Sequence, residues 1–203
     1  MIDWPFGLLR KNSYALIAMD IPWRFKTYNV GGVPQRAPEQ HYKTMTMNEI
    51  KALPVGELAA NDCAVMAWVI ASHVPQLFYL MQHWGFQYSS KAFCWAKMNK
   101  HAEKNMLEKP VPISADENWF MGLGYGSRRN TEDCYLFTRG APKRLDMGVR
   151  ELIIAPIGEH SRKPDEFLIR AERLYGGPRL EMFSRSNRAG WSVFGDETGK
   201  FDN

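Results

Sequence analysis

Cysteine is scarce in this chain. The three residues Cys63, Cys94 and Cys134 in a length of 203 are odd in number and far apart, which excludes a disulfide framework or a zinc-finger spacing. Each lies in an apolar run and reads as a buried free thiol in a reducing compartment. The five histidines, His41, His73, His83, His101 and His160, form no metal pair at helical spacing, so no metal centre is expected. No apolar stretch approaches the ~18 residues of a membrane span, and the first residues, with Asp3, carry no cleavage signature. A cytoplasmic protein without membrane contact is the expectation. Excess charge is also small: a formal net charge of +4 permits contact with a polyanion without demanding it. A phosphate-binding P-loop, a Gly-x-Ser-x-Gly elbow and a Cys–His pairing are all missing, which removes nucleotide hydrolysis and nucleophile-triad chemistry. Gly122-Leu123-Gly124-Tyr125-Gly126 is no dinucleotide fingerprint, because such a loop must leave a strand and open a helix. Here Asn118-Trp119-Phe120-Met121 precedes it and a strand follows.

What is present is the balance of an ordinary globule: 45% hydrophobic and 24% charged residues. The length suits a single domain spanning 1–203, able to bury roughly 70% of its unfolded surface. Seven tryptophans and eleven phenylalanines supply core, and near a nucleic acid would also supply stacking platforms.

Apolar runs alternate with amphipathic ones. Tyr14 to Met19 reads as a buried strand. Thr46 starts a helix with Glu49 completing a capping box, Ile50 and Leu53 lie on its buried side, and Pro54 ends it. Cys63 to Val69 suits a strand buried on both faces. Ser72 is expected to cap the next helix, with Pro75 in its first turn, Leu77, Phe78 and Met81 as its stripe and Gly85 at its end. Phe93 to Ala96, Cys134 to Thr138, Leu152 to Ala155 and Leu180 to Phe183 are further strands. Phe167, Leu168, Ala171, Leu174 and Tyr175 fall on one face of a helix opened by Pro164. The alternation implies an α/β fold with a largely parallel sheet. Arg24 to Gln40 reads as a mobile loop, and 97–120 as a polar insertion that reaches toward a partner.

Asp20-Ile21-Pro22-Trp23 follows the first strand, where open α/β sheets bind ligands. A carboxylate and backbone carbonyls there can accept from the amino group of a flat base, and an indole can cover its ring. Lys163 and Ser161, in His160-Ser161-Arg162-Lys163-Pro164-Asp165 ahead of a helix, suit a carboxylate or phosphate. Glu181, Phe183 and Arg185 alternate around a late strand end, and Asp196 and Glu197 are acids placed to hold ribose hydroxyls. Arg128 and Arg129 beside glycines suit phosphate contacts or an exposed turn.

In this order the segments resemble the adenine-N6 methyltransferases related to the catalytic subunit of the eukaryotic messenger-RNA adenosine methyltransferase, nearest in length to the prokaryotic and phage branch. The resemblance runs from Tyr14 to Glu197. The family's Asp-Pro-Pro-Trp motif stands as Asp20-Ile21-Pro22-Trp23, its His-Tyr-x-Thr-Met segment as His41 to Met45, its Gly-x-Gly-Tyr, Arg and Thr-Glu segment as Gly122 to Glu132, and its His-Ser-x-Lys-Pro-Asp segment as His160 to Asp165. The resemblance implies a Rossmann-like class I methyltransferase fold of permuted order, the catalytic motif preceding the cofactor-binding strand. It implies S-adenosylmethionine as cofactor, with Ser161 and Lys163 at its methionine carboxylate, Glu181, Phe183, Arg185 and Asn187 around carboxylate and ribose, and Asp196 and Glu197 at ribose or adenine. His41, Tyr42, Arg128, Arg129 and Glu132 would face the substrate, and the 97–120 insertion its phosphates.

Ile21 replaces the family's first proline. Its carbonyl remains, while the fixed φ of proline is lost, so weaker preorganisation rather than inactivity is expected. The implied reaction is direct methyl transfer to the amino group of adenine in DNA. RNA is the alternative substrate. A silent nucleic-acid-binding subunit is a second alternative, opposed by the presence of Asp20 and Trp23, and a nicotinamide enzyme a third, opposed by the missing glycine fingerprint. A homodimer is one option for assembly.

Overall fold

The run at 14–19 forms β1 (Tyr14–Asp20), in which Leu16 to Met19 are buried. The computed structural model describes residues 4–24, 44–108, 116–122, 126–158, 162–196, 198–199 and 202. A capping box at Thr46 and Glu49 opens α1 (Met47–Ala52), in which Thr46 Oγ1 accepts from the Glu49 N–H and the Glu49 carboxylate accepts from the Thr46 N–H. Then follow β2 (Ala59–Val69), α2 (Val74–His83), β3 (Gln87–Met98), α3 (Ala102–Glu108), β4 (Thr131–Arg139), β5 (Leu152–Pro156), α4 (Glu166–Leu174), β6 (Arg179–Met182) and β7 (Trp191–Phe194).

The strands make one seven-stranded sheet in the order β5-β3-β4-β2-β1-β6-β7. Neighbours are parallel except where β4 runs against β2 and β3. The last strands in sequence, β6 and β7, thus lie beside the first, as the permuted Rossmann-like order requires. The carboxyl ends of β1, β3 and β6 share one edge. Because β4 is reversed, it delivers its own beginning, Thr131 and Glu132, to that same edge.

Side chains alternate across the strands, and this produces two cores. Ile17, Met19, Val65, Ala67 and Phe137 face one way, toward Ile50 of α1 and Leu77, Leu80 and Met81 of α2. Leu16, Ala18, Met66, Trp68, Phe93, Trp95 and Cys134 face the other, toward Phe167, Leu168 and Ala171 of α4. Each large side chain so buried contributes roughly 1.5–3 kcal/mol. Continuing the alternation puts Asp20 (after Leu16 and Ala18), Lys97 (after Phe93 and Trp95) and Glu132 (before Cys134) at the shared edge on the α4 side.

Several expectations need correction. Ser72 caps nothing: a 3-10 turn, Ala71–His73, leads into α2, and no side chain caps that helix. Two consecutive turns of different pitch leave Ser72 outside the N-cap position, and its hydroxyl lies against His73 Nδ1 at 3.1 Å. Residues 97–120 are not uniformly irregular. Lys97 and Met98 complete β3, α3 follows, and a 3-10 turn at Asp116–Asn118 is tied back by Asn99, whose Nδ2 donates to the Glu117 and Trp119 carbonyls. Cys63 and Cys134 are buried free thiols, whereas Cys94 is only half-buried. Phe183 lies just past β6 with a left-handed φ of +61°, a conformation that costs a non-glycine residue energy and recurs at functional sites.

Candidate active site

Two cavities open at the carboxyl edge. The larger, about 630 Å³, lies among Trp68, Lys163, Glu181, Phe183, Arg185 and Asn187, beneath the start of α4. The smaller, about 220 Å³, lies among Ile21, Pro22, Met45, Phe194 and Asp196. Asp20, Phe183, Ser184 and Arg185 line both. Asp20 therefore stands where the two spaces meet.

A chain of charges fixes that carboxylate. Lys163 Nζ donates to Asp20 Oδ2 at 2.6 Å and meets Glu132 Oε1 at 3.1 Å, and Lys97 Nζ donates to Glu132 Oε2 at 2.6 Å. Two acids and two bases alternate, and the set is electrically neutral. Exposure is graded along it: the Asp20 side chain is 40% exposed, Lys163 12% and Glu132 8%. Burial works against the charge on Glu132, but the Lys163 and Lys97 ammonium groups outweigh it and hold the carboxyl down to about 2. Burial likewise opposes the charge on Lys163, yet Asp20 and Glu132 keep its pKa above the ordinary lysine value. Burial raises the Asp20 carboxyl, Glu132 adds to the rise, and Lys163 opposes it. Asp20 Oδ1 has no partner among the described residues. An ammonium carries three donors, so Lys163 keeps one beyond the two that serve Asp20 and Glu132.

The rest of the tetrapeptide is shaped by backbone bonds. The Trp23 N–H donates to the Ile21 carbonyl at 2.8 Å, turning the chain about Pro22, and the Met45 N–H donates to the Pro22 carbonyl at 2.8 Å. Each carbonyl has a second lone pair. Trp23 is 6% exposed, packs on His73 with ring centroids 5.3 Å apart, and lines neither cavity.

Of the residues expected to hold a cofactor, Glu181 lines the larger cavity, and its burial raises its carboxyl pKa against a hydrogen bond from Ser184. Asn187 also lines it, but its N–H and side-chain amide both donate to the Asp202 carboxylate, at 2.7 and 2.6 Å. Asp196 lines the smaller cavity just past β7. Arg128 is exposed and Arg129 half-buried on a ladder that pairs Gly122 with Arg129 immediately before β4. Ser161, Glu197, His41 and Tyr42 lie outside the described residues.

Two members of the site were not singled out from sequence: Lys97, read as part of the insertion, and Trp68, whose indole lies 5.9 Å from Lys163 Nζ. The signal for Lys97 was the alternation Phe93, Trp95, Lys97, which places a cation at the end of a buried strand face.

The partition between the cavities depends on Gly195. A Cβ there would collide with the Ser184 backbone nitrogen and carbonyl, and the Ser184 N–H is itself bonded to the Phe194 carbonyl at 3.0 Å. Gly195→Ala is expected to cost about 1–3 kcal/mol through forced backbone shifts and to displace Ser184 and Arg185. Thermal unfolding measures the first effect; an unchanged melting temperature would contradict the tight approach.

The pattern of the MT-A70 family matches residues 14–197, which takes in every strand just described. The chain belongs to the MT-A70 family. It is similar to the type II methyltransferase M.MunI of a Mycoplasma species, with 24% identity covering 97% of this chain and 82% of that protein. It is also similar to the mouse N(6)-adenine-specific methyltransferase METTL4, at 27% identity over 93% of this chain and 38% of the relative. The human N(6)-adenosine-methyltransferase catalytic subunit METTL3 is 24% identical over 91% of this chain and 28% of its own length. The chain thus spans most of M.MunI but well under half of METTL4 and METTL3. Membership in MT-A70 agrees with the sheet order: an α/β, Rossmann-like methyltransferase fold in which Asp20 precedes β6 and β7.

Proposed function

We propose that this MT-A70 member transfers a methyl group from S-adenosylmethionine to the exocyclic amino group of adenine in DNA. The observation that carries this reading is Asp20, with one carboxylate oxygen anchored by Lys163 and the other without a partner among the described residues, at the meeting of two cavities.

The donors present suit the cofactor. Lys163, with its remaining donor, Arg185 and Asn187 in the larger cavity would hold the amino-acid carboxylate, Asn187 exchanging Asp202 for it. Ser161 is proposed beside them. Asp196 and Glu197 would hold the ribose or adenine, with Glu181 and Phe183 forming the wall. The close approach of Gly195 to Ser184 keeps that wall thin. Bound there, S-adenosylmethionine supplies an electrophilic methyl group on a sulfonium sulfur.

The protein's own contribution is positional. The target base leaves its stack to enter the site. Asp20 Oδ1 and the free lone pair of the Ile21 carbonyl accept the two amino hydrogens, which turns the nitrogen lone pair out of the ring plane. The amino nitrogen would form its new N–C bond as the methyl group leaves sulfur, the S–C electron pair staying on sulfur, and Asp20 Oδ1 would take the displaced amino proton and pass it to solvent. No covalent enzyme intermediate is needed, so rate comes from orientation and fixed charge. Pro22 lines the base side of the smaller cavity. Trp23 would stack on the base after leaving His73, together with His41 and Tyr42. Arg128, Arg129 and the 97–120 segment would meet phosphates, positioning the polymer with little sequence information. Glu132 acts behind Asp20 through Lys163.

DNA is favoured over RNA because the likeness to M.MunI extends over 82% of that protein. The test is incubation with methyl-labelled S-adenosylmethionine and, separately, unmethylated duplex DNA, single-stranded DNA and RNA. Label in DNA is expected. Label in RNA alone would move the substrate, and no label despite calorimetric cofactor binding would contradict the enzyme reading.

A further inference from the structure

We infer that Lys97 is a positioning residue: by holding Glu132 from behind, it leaves Lys163 to share itself with Asp20. The inference rests on the proposed methyl transfer and deepens it. Lys97 lines neither cavity, so it acts only through its neighbours. Its Nζ meets Glu132 Oε2 at 2.6 Å, closer than the 3.1 Å between Lys163 and Glu132 Oε1. Glu132 therefore has its nearer cation on the side away from Asp20, and Lys163 sits nearer Asp20, at 2.6 Å, than Glu132. Its own strand steers it, since Lys97 Nζ also lies 4.8 Å from the Trp95 ring.

Charge counting gives the consequence. With Lys97 present, two carboxylates face two ammonium groups. Without it, Lys163 alone must serve both. Lys163 is then drawn toward the more buried Glu132, or one carboxylate takes up a proton, and either change loosens Asp20. The charged groups around Glu132 are Lys97 from β3, Lys163 from the approach to α4 and, across Lys163, Asp20 from β1. Arg185, past β6, acts on Asp20 from the cofactor side. On β4 itself, Cys134 is a buried thiol, and Asp133 is engaged elsewhere by Lys91 at 3.7 Å.

The experiment is steady-state methyl transfer across pH by the parent, Lys97→Met, Lys97→Arg, Glu132→Gln and the Lys97→Met/Glu132→Gln double variant. Each is first checked for a cooperative melt. Lys97→Met is expected to lower kcat about tenfold or more with the KM for S-adenosylmethionine nearly unchanged, the signature of a lost positioning contact. The acid limb of its kcat profile moves to higher pH, because a carboxylate now protonates earlier. Lys97→Arg recovers part of the loss. In the Glu132→Gln background, removing Lys97 changes nothing further, since coupled residues are non-additive. Equal losses in both backgrounds, an unshifted acid limb, or a raised KM with unchanged kcat would each overturn the inference. A parent that transfers no methyl group overturns the functional reading with it. A parent that turns over while Lys97→Met matches it overturns this inference alone.

Discussion

Asp20→Asn is expected to lower methyl transfer by about 10³-fold, the scale of losing one preorganised electrostatic contact to the reacting group. The substitution keeps the volume and the place at the end of β1. It replaces an anionic acceptor with an amide that is either a neutral acceptor or, turned over, a donor facing the donor hydrogens of the target amine. It also removes the charge that Lys163 Nζ meets at 2.6 Å, so the ammonium is left to Glu132. Asp20→Ala abolishes turnover. In both variants S-adenosylmethionine binding is expected to stay measurable by calorimetry, because Arg185, Asn187 and Asp196, proposed to hold it, are untouched. Near-normal turnover in either variant would remove Asp20 from the chemistry.

Lys163→Met is expected to damage both stability and turnover. Lys163 separates two carboxylates, and its loss leaves Asp20 and Glu132 with Lys97 alone. Breaking a buried ion pair from one side costs about 3–5 kcal/mol, since the remaining charge is uncompensated. The variant also loses the group proposed to hold the cofactor's carboxylate, so S-adenosylmethionine affinity falls together with kcat. The pH dependence carries a sign. Glu132 in the folded protein is held to about 2, below its ordinary 4.5. Its stabilising contribution is therefore complete above 4.5 and is lost progressively as pH falls from there through about 2. With one of its two lysines gone, the folded value rises toward 4.5, so the variant has less of this stability to lose and its acid loss is smaller and complete at higher pH. Urea unfolding midpoints between about pH 3 and 8 test this. Curves of the same shape in parent and variant would contradict the pairing of Lys163 with Glu132.

Much of this was legible in the chain because local rules and the fold agree. The apolar runs at 14–19 and 63–69 had to be central strands, and Thr46 with Glu49 had to open a helix. The order of the motifs, with Asp20 early and Glu181 to Asn187 late, carried the permuted topology. What stayed hidden is what the reversed β4 creates. Lys97 and Glu132 are distant in sequence, and only antiparallel pairing, with Trp95 opposite Glu132 and Ala96 opposite Thr131, brings them to one edge. Lys163 was read as a ligand for an anion on the cofactor. The fold also gives it two protein carboxylates, which a helix-start pattern cannot reveal. Trp23 was read as a stacking surface, and its place against His73 depends on a residue fifty positions away. Ser72 failed as a cap because a preceding 3-10 turn shifted the start of α2, a matter of tertiary fit rather than propensity.

The central claim is that the site presents an adenine amino group to a methyl donor at Asp20. The most direct measurement is the identity of the modified atom. Duplex DNA would be incubated with the protein and methyl-labelled S-adenosylmethionine, digested to nucleosides and resolved by mass spectrometry, with Asp20→Asn run in parallel. N6-methyldeoxyadenosine is expected as the labelled product, with its near-disappearance in the Asp20→Asn reaction. Label on the cytosine amino group or on a ring atom, or N6-methyldeoxyadenosine formed equally well without the carboxylate, would contradict it.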